Sequence, residues 1–305
     1  MKTVAAWRAG VASDTGHQRL ENEDRVYVDE DAGIFLVVDG LGGHAAGEKA
    51  AETAVQEIGQ CLAASQGSPA DRIREAITAA NNRIYELAGQ NEEWRGMACV
   101  LTLAIAHDDR VTAGHVGDSR LYLVWNGTVR KLTSDHSPVG EREDQGELTE
   151  QEAMLHPRRN EVFRDVGSRP REVGDDHFIE IRSLPFRPDA AFLLCSDGLS
   201  DALTSAEISS IVERYDGDAE RVALELVDAA NQAHGADNVS VVFVAGPEFM
   251  GAEAPGMGEA RGRHAVTRFR RRSRMRRMLA SRILWLVTGI LMGMTLWAVF
   301  GHVSR

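Results

Sequence analysis

Four aspartates in this chain stand where predicted strands begin or end. Asp39 and Asp197 each follow a short apolar run rich in residues that favour strands. Asp118 and Asp237 border further predicted strands. Such runs are typical of strands buried on both faces, which would hold a terminal side chain rigidly. Because carboxylate oxygens are the ligands that hard divalent cations prefer, the pattern indicates a metal or phosphate site at strand ends.

The segment 34–44 reads IFLVVDGLGGH, with glycines at 40, 42 and 43 directly after Asp39. Glycine lets a backbone turn sharply and approach a ligand closely, because no Cβ stands in the way. The alternative is a strand-to-helix turn in which Asp39 is a helix N-cap, since the alanine-rich segment after His44 has helical patterning. The segment by itself leaves both interpretations open.

A polar run at 13–24 lacks apolar periodicity and is predicted to be a loop. Arg19 offers a bidentate donor for an anion, and Glu23 and Asp24 offer hard oxygen ligands beside it. These residue types favour a functional loop. An ordinary solvated loop is the alternative.

The composition bounds the class of protein. A hydrophobic fraction of 43% over 305 residues is enough for a substantial core. The three cysteines, at 61, 99 and 195, form no CxxC pair, which argues against a disulfide framework or zinc knuckle and suits a reducing compartment. Residues 248–305 hold eleven arginines and three glutamates, a balance of +8, so residues 1–247 carry −20 of a total of −12. That acidic part does not fit a nucleic-acid binder, because phosphate backbones repel it.

Apolar patterning and turn residues give a coarse map of the chain. They predict strands at 5–12, 25–28, 33–38, 97–106, 110–116, 121–125, 129–132, 191–195 and 239–244, and helices at 45–64, 70–88, 149–155, 206–215 and 219–233. The polar stretch 133–176 is predicted to be a mobile flap over a site rather than core. Many antiparallel strands with paired helices between them favour two packed sheets flanked by helix layers.

Six short motifs occur in order along the chain: the loop from Arg19 to Asp24, DGLGGH from Asp39, GDSR from Gly117, DHS from Asp135, SDGL from Ser196, and DN at Asp237. In these motifs the chain resembles the metal-dependent serine/threonine protein phosphatases, the PPM or type 2C family, in their bacterial form. The resemblance covers about residues 5–246. It implies an α+β fold, a four-layer αββα sandwich of two antiparallel sheets flanked by helix pairs. It also implies two Mg²⁺ or Mn²⁺ ions at the edge between the sheets.

The resemblance also implies the metal ligands by position. Asp39 would bridge both ions. The Gly40 carbonyl and Glu23 would bind one ion, and Asp197 and Asp237 would bind the other. These oxygen donors agree with what hard cations prefer on chemical grounds alone.

Four further roles follow from the same resemblance. A third, weaker ion is implied near Asp118 and Asp197. Arg19 would clamp the phosphate, and Asp24 would lie behind the ligands and orient water. His44 would protonate the departing seryl or threonyl oxygen, whose alkoxide is a poor leaving group.

The implied reaction is hydrolysis of phosphoserine and phosphothreonine in proteins, opposing a serine/threonine protein kinase at the membrane. A water bridging the two cations would attack phosphorus in line. Two alternatives are a catalytically silent module that binds phosphoproteins and a phosphatase of small phosphate esters. The presence of Asp39, Asp197 and Asp237 argues against the silent module, because silent relatives generally lose metal carboxylates.

The composition changes after the predicted phosphatase domain, residues 1–247. Residues 248–282 are predicted to be a flexible linker, first rich in glycine and then in arginine. Residues 283–300 carry no charge and would span about 27 Å as a helix, close to a bilayer core of about 30 Å. They are predicted to form a single membrane span, with 301–305 as a short tail. The arginine flank then stays cytoplasmic with the catalytic domain and contacts membrane lipid. The alternative for residues 283–300 is a buried core helix. The alternative for the arginine-rich segment is nucleic-acid binding.

Overall fold

The computed structural model describes residues 7–42, 45–233 and 235–251 of the chain. The strands in this part are β1 (Arg8–Asp14), β2 (Arg25–Asp29), β3 (Ile34–Leu41), β4 (Ala98–His107), β5 (Arg110–Val116), β6 (Arg120–Trp125), β7 (Thr128–Lys131), β8 (Glu180–Pro185), β9 (Ala191–Cys195) and β10 (Val239–Ala245). The α-helices are α1 (Ala45–Ala64), α2 (Pro69–Gln90), α3 (Pro138–Asp144), α4 (Glu150–Met154), α5 (Asp197–Ser200), α6 (Ser205–Val212) and α7 (Ala219–Ala233).

The strands of the described residues form two sheets with antiparallel neighbours. One sheet has the order β1-β10-β9-β6-β7 and the other β2-β3-β4-β5-β8. Because successive side chains point to opposite faces of a strand, β3 contributes Phe35 to the core between the sheets and Leu36 to the core under the helices. Phe35 meets Phe192 of the other sheet edge-on, with 5.3 Å between the ring centroids. This double burial explains the unbroken apolar run in β3.

A pair of helices covers the outer face of each sheet. Helices α1 and α2 pack on the sheet that contains β3 through small and branched side chains such as Ala54, Ile58 and Ile77. Helices α6 and α7 pack on the other sheet, where Ile208 and Leu226 share a core with strand residues. The predicted sandwich of two antiparallel sheets flanked by helix pairs is therefore confirmed.

Local sequence signals account for several element ends. Ser68 accepts a hydrogen bond from the Asp71 N–H at the start of α2, and Pro69 follows it as the first helical residue. Thr204 and Glu207 form a capping box at the start of α6. The predicted hairpin at Asn126-Gly127 joins β6 and β7, and both residues have positive φ, 52° and 68°, as a type I′ turn requires.

Three of the helices and strands given above were missed by the sequence prediction: the short α5 after β9, and two that lie in or beside the predicted flap. Helix α3 begins at Pro138 after the N-cap Ser137, and β8 adds an edge strand to β5. The prediction that 133–176 lies outside the core was wrong for its first part, since Asp135 and His136 are buried. Apolar periodicity is weak in these short pieces because tertiary contacts, rather than an amphipathic pattern, hold them in place.

The predicted linker beyond Gly251 and the predicted membrane span at 283–300 lie outside the described residues. Within 7–42, 45–233 and 235–251, no helix is both long enough and apolar enough to cross a bilayer. The domain boundaries and the membrane anchor remain predictions.

Candidate metal centre

A cavity of about 160 Å³ collects the carboxylates that the sequence singled out. The described residues that line it are Arg19, Glu23, Asp39, Gly40, Leu41, Gly42, Asp118, Asn160, Val162, Asp197, Asp237 and Asn238. Of the predicted site residues, only Asp24 and His44 are missing from this set. His44 lies outside the described residues. Asn160 and Val162 come from the predicted flap, and no sequence signal assigned them to the site.

Sheet topology brings these side chains to one place. Strands β9 and β10 are antiparallel neighbours. Asp197 follows the end of β9 and Asp237 precedes the start of β10, so both lie at the same end of this strand pair. In the other sheet β2 pairs with β3, with Arg25 opposite Val38, which brings Glu23 toward Asp39. Residues far apart in sequence therefore meet where strands of the two sheets end next to each other.

The structure excludes the N-cap interpretation of Asp39. Asp39 lies inside β3, opposite Val100 of β4, and β3 continues to Leu41. Helix α1 begins at Ala45, so its N-cap position falls well after Asp39.

A close approach explains why glycine stands at 40 and at 47. A Cβ on Gly40 would lie 2.3 Å from the Gly47 carbonyl oxygen, and a Cβ on Gly47 would lie 2.2 Å from Oε2 of Glu23. Both distances are far inside van der Waals contact. The first turn of α1 can therefore pack against β3 and Glu23 only because neither residue has a side chain.

The carboxylates in the cavity raise one another's proton affinity. Desolvation by the surrounding protein, together with the nearby charges of Asp24, Asp197 and Asp118, holds the pKa of Asp39 well above its usual range. Desolvation and the charge of Asp118 do the same to the pKa of Asp197. The pKa of Asp118 rises to about 7, mainly through desolvation and then through Asp135. Clustered carboxylates of this kind are stabilised when a cation binds among them.

The donor set agrees with Mg²⁺ or Mn²⁺. Carboxylates and the Gly40 residue line the cavity, whereas none of its described lining residues is a cysteine or histidine. Hard cations bind carboxylate and carbonyl oxygens, while Zn²⁺ sites normally use sulfur or imidazole nitrogen. The residues present therefore fit the implied ions.

Arg19 lies at the mouth of the cavity. Its Nη2 donates to Oδ2 of Asp237 at 2.8 Å, and its side chain is 49% exposed. Because this guanidinium lies beside the carboxylates and is open to solvent, it is well placed to donate hydrogen bonds to an anionic group that enters from solvent.

Asp24 is buried behind the cavity rather than lining it. The Ser196 hydroxyl donates to Oδ2 of Asp24 at 2.7 Å and accepts from the Ser240 N–H at 2.9 Å. Burial raises the pKa of Asp24 to about 6, against the opposing effect of the Ser196 hydrogen bond. Asp24 thus connects the 19–24 loop to the residue that precedes Asp197.

Asn238 positions the same loop, a role that the sequence motif did not indicate. Its Oδ1 accepts from the Glu23 N–H at 2.8 Å. Its Nδ2 donates to the carbonyls of Thr15 and Glu21 at 2.9 and 3.0 Å. One amide side chain therefore uses its donors and its acceptor to fix the loop that carries Arg19 and Glu23.

A buried ion pair lines a small cavity together with Asp118. Arg120 donates to Oδ2 of Asp135 through Nη2 at 2.6 Å and Nε at 3.0 Å, and to Glu143 at 2.9 Å. Arg120 is 8% exposed and Asp135 is 4% exposed. Two recognised motifs, GDSR and DHS, thus contribute a structural pair, which the sequence did not predict because no local pattern links positions 120 and 135.

One other group of ligand side chains occurs among the described residues. The ligand atoms of His115, His136 and Glu180 lie within 4.8 Å of one another. The Gly117 N–H donates to Nδ1 of His136 at 3.0 Å, which leaves Nε2 as the ring nitrogen available to a metal ion. Arg164 Nη1 lies 2.9 Å from that Nε2. A metal ion would have to displace the guanidinium, so this cluster does not fit a metal site.

Comparison with known proteins agrees with this geometry. A family model described as "Protein phosphatase 2C" matches residues 15–230. Protein phosphatase PhpP of Streptococcus pneumoniae serotype 2 is 34% identical over 240 residues, which cover 76% of this chain and 94% of the relative. The crystal structure of the Mycobacterium tuberculosis serine/threonine phosphatase PstP/Ppp has a TM-score of 0.70 at 30% identity, covering 79% of this chain and 98% of that one. The catalytic domain of PstP in complex with two manganese ions has a TM-score of 0.68 at 29% identity, covering 78% and 97%.

Proposed function

Because this chain belongs to the protein phosphatase 2C family and is a serine/threonine phosphatase of bacterial type, we propose that it hydrolyses phosphoserine and phosphothreonine in proteins at a binuclear Mg²⁺ or Mn²⁺ centre. The observation that carries this proposal is the meeting of Glu23, Asp39, Asp197 and Asp237 in one cavity. The substrates are phosphorylated proteins, and the opposing activity is that of a serine/threonine protein kinase.

The assignment of ligands keeps the pattern implied by the motifs. Asp39 would contact both ions, the Gly40 carbonyl and Glu23 would hold one, and Asp197 and Asp237 would hold the other. Support comes from the shared cavity and from a relative that binds two manganese ions. Asp118 lines the same cavity and raises the pKa of Asp197, which supports a weaker third ion between these two carboxylates.

The protein residues then have distinct tasks. When bound, the cations supply positive charge that makes water more acidic and offsets the charge on the phosphoryl oxygens. Arg19 binds phosphoryl oxygens at the cavity mouth, and Asp24 and Asn238 hold the loop that carries Arg19 and Glu23. Water attacks phosphorus, the bond to the seryl or threonyl oxygen breaks, and that oxygen takes a proton. The assignment of His44 as the proton donor remains a prediction from sequence.

The direct test is turnover of a phosphothreonine peptide by the purified full chain. We expect release of inorganic phosphate with Mn²⁺ or Mg²⁺ and none after EDTA. Hydrolysis that persists in EDTA would exclude the metal mechanism. Binding of the peptide without turnover would favour the silent module, and turnover restricted to small esters would exclude a protein substrate.

Arg19→Ala is expected to lower kcat/KM for the phosphopeptide about 10- to 100-fold, because a hydrogen bond to a charged group contributes about 1.5–3 kcal/mol. Arg19→Lys should fall between wild type and Arg19→Ala, since an ammonium cannot form the bidentate contact. Steady-state kinetics measure the change. The matched control is Arg221→Ala on α7. Arg221 also lies 2.8 Å from an aspartate, Asp216, but it does not line the cavity. Equal kinetics for Arg19→Ala and Arg221→Ala would contradict a phosphate role.

A further inference from the structure

A second cavity, of about 440 Å³, adjoins the metal centre. The two cavities share Arg19, Asn160, Asp197 and Asp237 in their linings. We call the second cavity the side groove. A phosphorylated residue in the metal centre must be flanked by further residues of its own chain, and the side groove is a neighbouring space that can receive one of them.

One wall of the side groove carries exposed apolar side chains. Met154 and Leu155 line it at the end of α4, and Ala202 and Ala236 line it elsewhere. Leu155 is 79% exposed. A single exposed leucine on a surface carries no meaning by itself. Here, however, it stands beside Met154 in a concave site next to the reaction centre, where apolar area remains to be covered by a partner.

Helix α4 holds this wall in a defined position. Thr149 and Glu152 form a capping box at its start, and Ala153 is buried. Oε1 of Glu150 accepts from both the N–H and the hydroxyl of Ser205 at 2.8 and 2.7 Å, which ties α4 to the start of α6. A wall fixed in this way loses little further conformational freedom when a ligand binds.

The two arginines of the side groove are each paired with an aspartate of its lining. Arg159 Nε donates to Oδ2 of Asp201 at 2.8 Å, and Arg19 donates to Asp237 at the same distance. Arg159 is thus held against Asp201, and Arg19 is assigned to the phosphate itself. Beside these charges, Met154 and Leu155 give the side groove a local apolar wall.

Building on the proposed function, we propose that the side groove binds an apolar side chain one or two residues from the phosphorylated serine or threonine. Leu155 is the residue that confers this preference. Residues of an extended peptide advance about 3.3 Å each, so only the immediate neighbours of the phosphorylated residue reach a cavity that shares a wall with the metal centre. The substrate class is thus phosphoproteins with an apolar residue beside the phosphorylated site.

The test uses the full chain with Mn²⁺ and phosphothreonine peptides in a glycine and serine host sequence. Leucine is placed at one position at a time, from two residues before to two residues after the phosphothreonine. We expect at least one placement to raise kcat/KM roughly tenfold over the host peptide, as apolar pockets typically discriminate. In Leu155→Ser that ratio should fall to about one, and in Leu155→Met it should be retained. Leu224→Ser, which changes a half-exposed leucine on α7, should leave the ratio intact.

A charge change provides a second variant. Leu155→Lys should move the preference from leucine to glutamate at the same peptide position, a gain that a merely destabilised protein would not show. Equal turnover of all peptides by the wild type would overturn the inference about the side groove and leave the proposed function standing. A leucine preference that survives Leu155→Ser would do the same. Failure to hydrolyse the host peptide and an aryl phosphate would overturn the proposed function as well, so the two failures are distinguishable.

Discussion

Asp39→Asn is expected to lower cation-dependent turnover of a phosphothreonine peptide by at least about 10³-fold, the upper end of what loss of one charge-stabilising group costs. The side chains are nearly equal in volume, so packing around β3 should persist. An amide, however, cannot bridge two cations, because only its oxygen is a ligand and it carries no negative charge. Release of inorganic phosphate at saturating Mn²⁺ measures the effect.

Thermal unfolding distinguishes a variant that no longer binds metal from one that no longer folds. Mn²⁺ should raise the Tm of the wild type, because an ion that binds only the folded state stabilises it by mass action. It should raise the Tm of Asp39→Asn far less. Without cations the variant should be at least as stable as wild type, since one of several mutually repelling carboxylates becomes neutral.

The control for this change is Asp31→Asn, in the exposed turn between β2 and β3. It removes the same charge from the neighbourhood of the same strand and should leave turnover and the Mn²⁺-dependent Tm unchanged. If Asp39→Asn retained turnover within tenfold of wild type, the assignment of Asp39 as the bridging ligand would be wrong.

The second large effect concerns stability. Arg120→Met is expected to lower the free energy of unfolding by about 3–5 kcal/mol, because it leaves Asp135 as a buried carboxylate without its main partner. Lys131, 3.7 Å from Asp135, is the remaining nearby cation and is too distant to replace two short hydrogen bonds. Urea unfolding measures the change.

The matched control is Arg95→Met. Arg95 also lies 2.6 Å from a carboxylate, that of Glu92, but the two side chains are 75% and 86% exposed. An exposed pair contributes about 0–1 kcal/mol, so the control should hardly change stability. Similar losses for the two variants would contradict the view that burial makes the Arg120 pair important.

The Arg120 effect should depend on pH. Burial opposes ionisation of Asp135, but Arg120 and Lys131 outweigh it and hold the pKa of Asp135 below its ordinary value of 3.8. A lowered carboxyl pKa contributes stability that is present above the ordinary value and is lost as the pH falls through the folded-state value. The difference between wild type and Arg120→Met should therefore narrow in acid below about pH 4.

The positions of Asp39 and Asp197 near strand ends could be predicted from a local pattern, whereas their role as metal ligands was implied by the family resemblance. An apolar run that ends on Asp39-Gly40 or Asp197-Gly198 marks a buried strand and its exit, and the Asn126-Gly127 pair marks a tight hairpin. These signals depend on the intrinsic preferences of a few consecutive residues. They sufficed for the two-sheet fold and for the set of residues expected to meet.

The supports of the site could not be predicted in the same way. These supports depend on contacts between distant parts of the chain. They are the Arg120–Asp135 pair, the hydrogen bonds of Asn238 to residues 15–23, and the pairing of strand β8. The side groove is of the same kind, since Leu155 is an unremarkable residue in the sequence and gains significance only where α4 lies beside the metal centre.

The sequence by itself thus determined most of the strands and the long helices, and it placed Asp39 and Asp197 near strand ends, because apolar periodicity, glycine and turn residues act over a few positions. Only the tertiary structure decided that those carboxylates share one cavity, that Asp24 lies behind it, and that Arg120 pairs with the buried Asp135. The physical reason is that desolvation and the pairing of buried charges depend on what surrounds a residue in space, which no local pattern specifies.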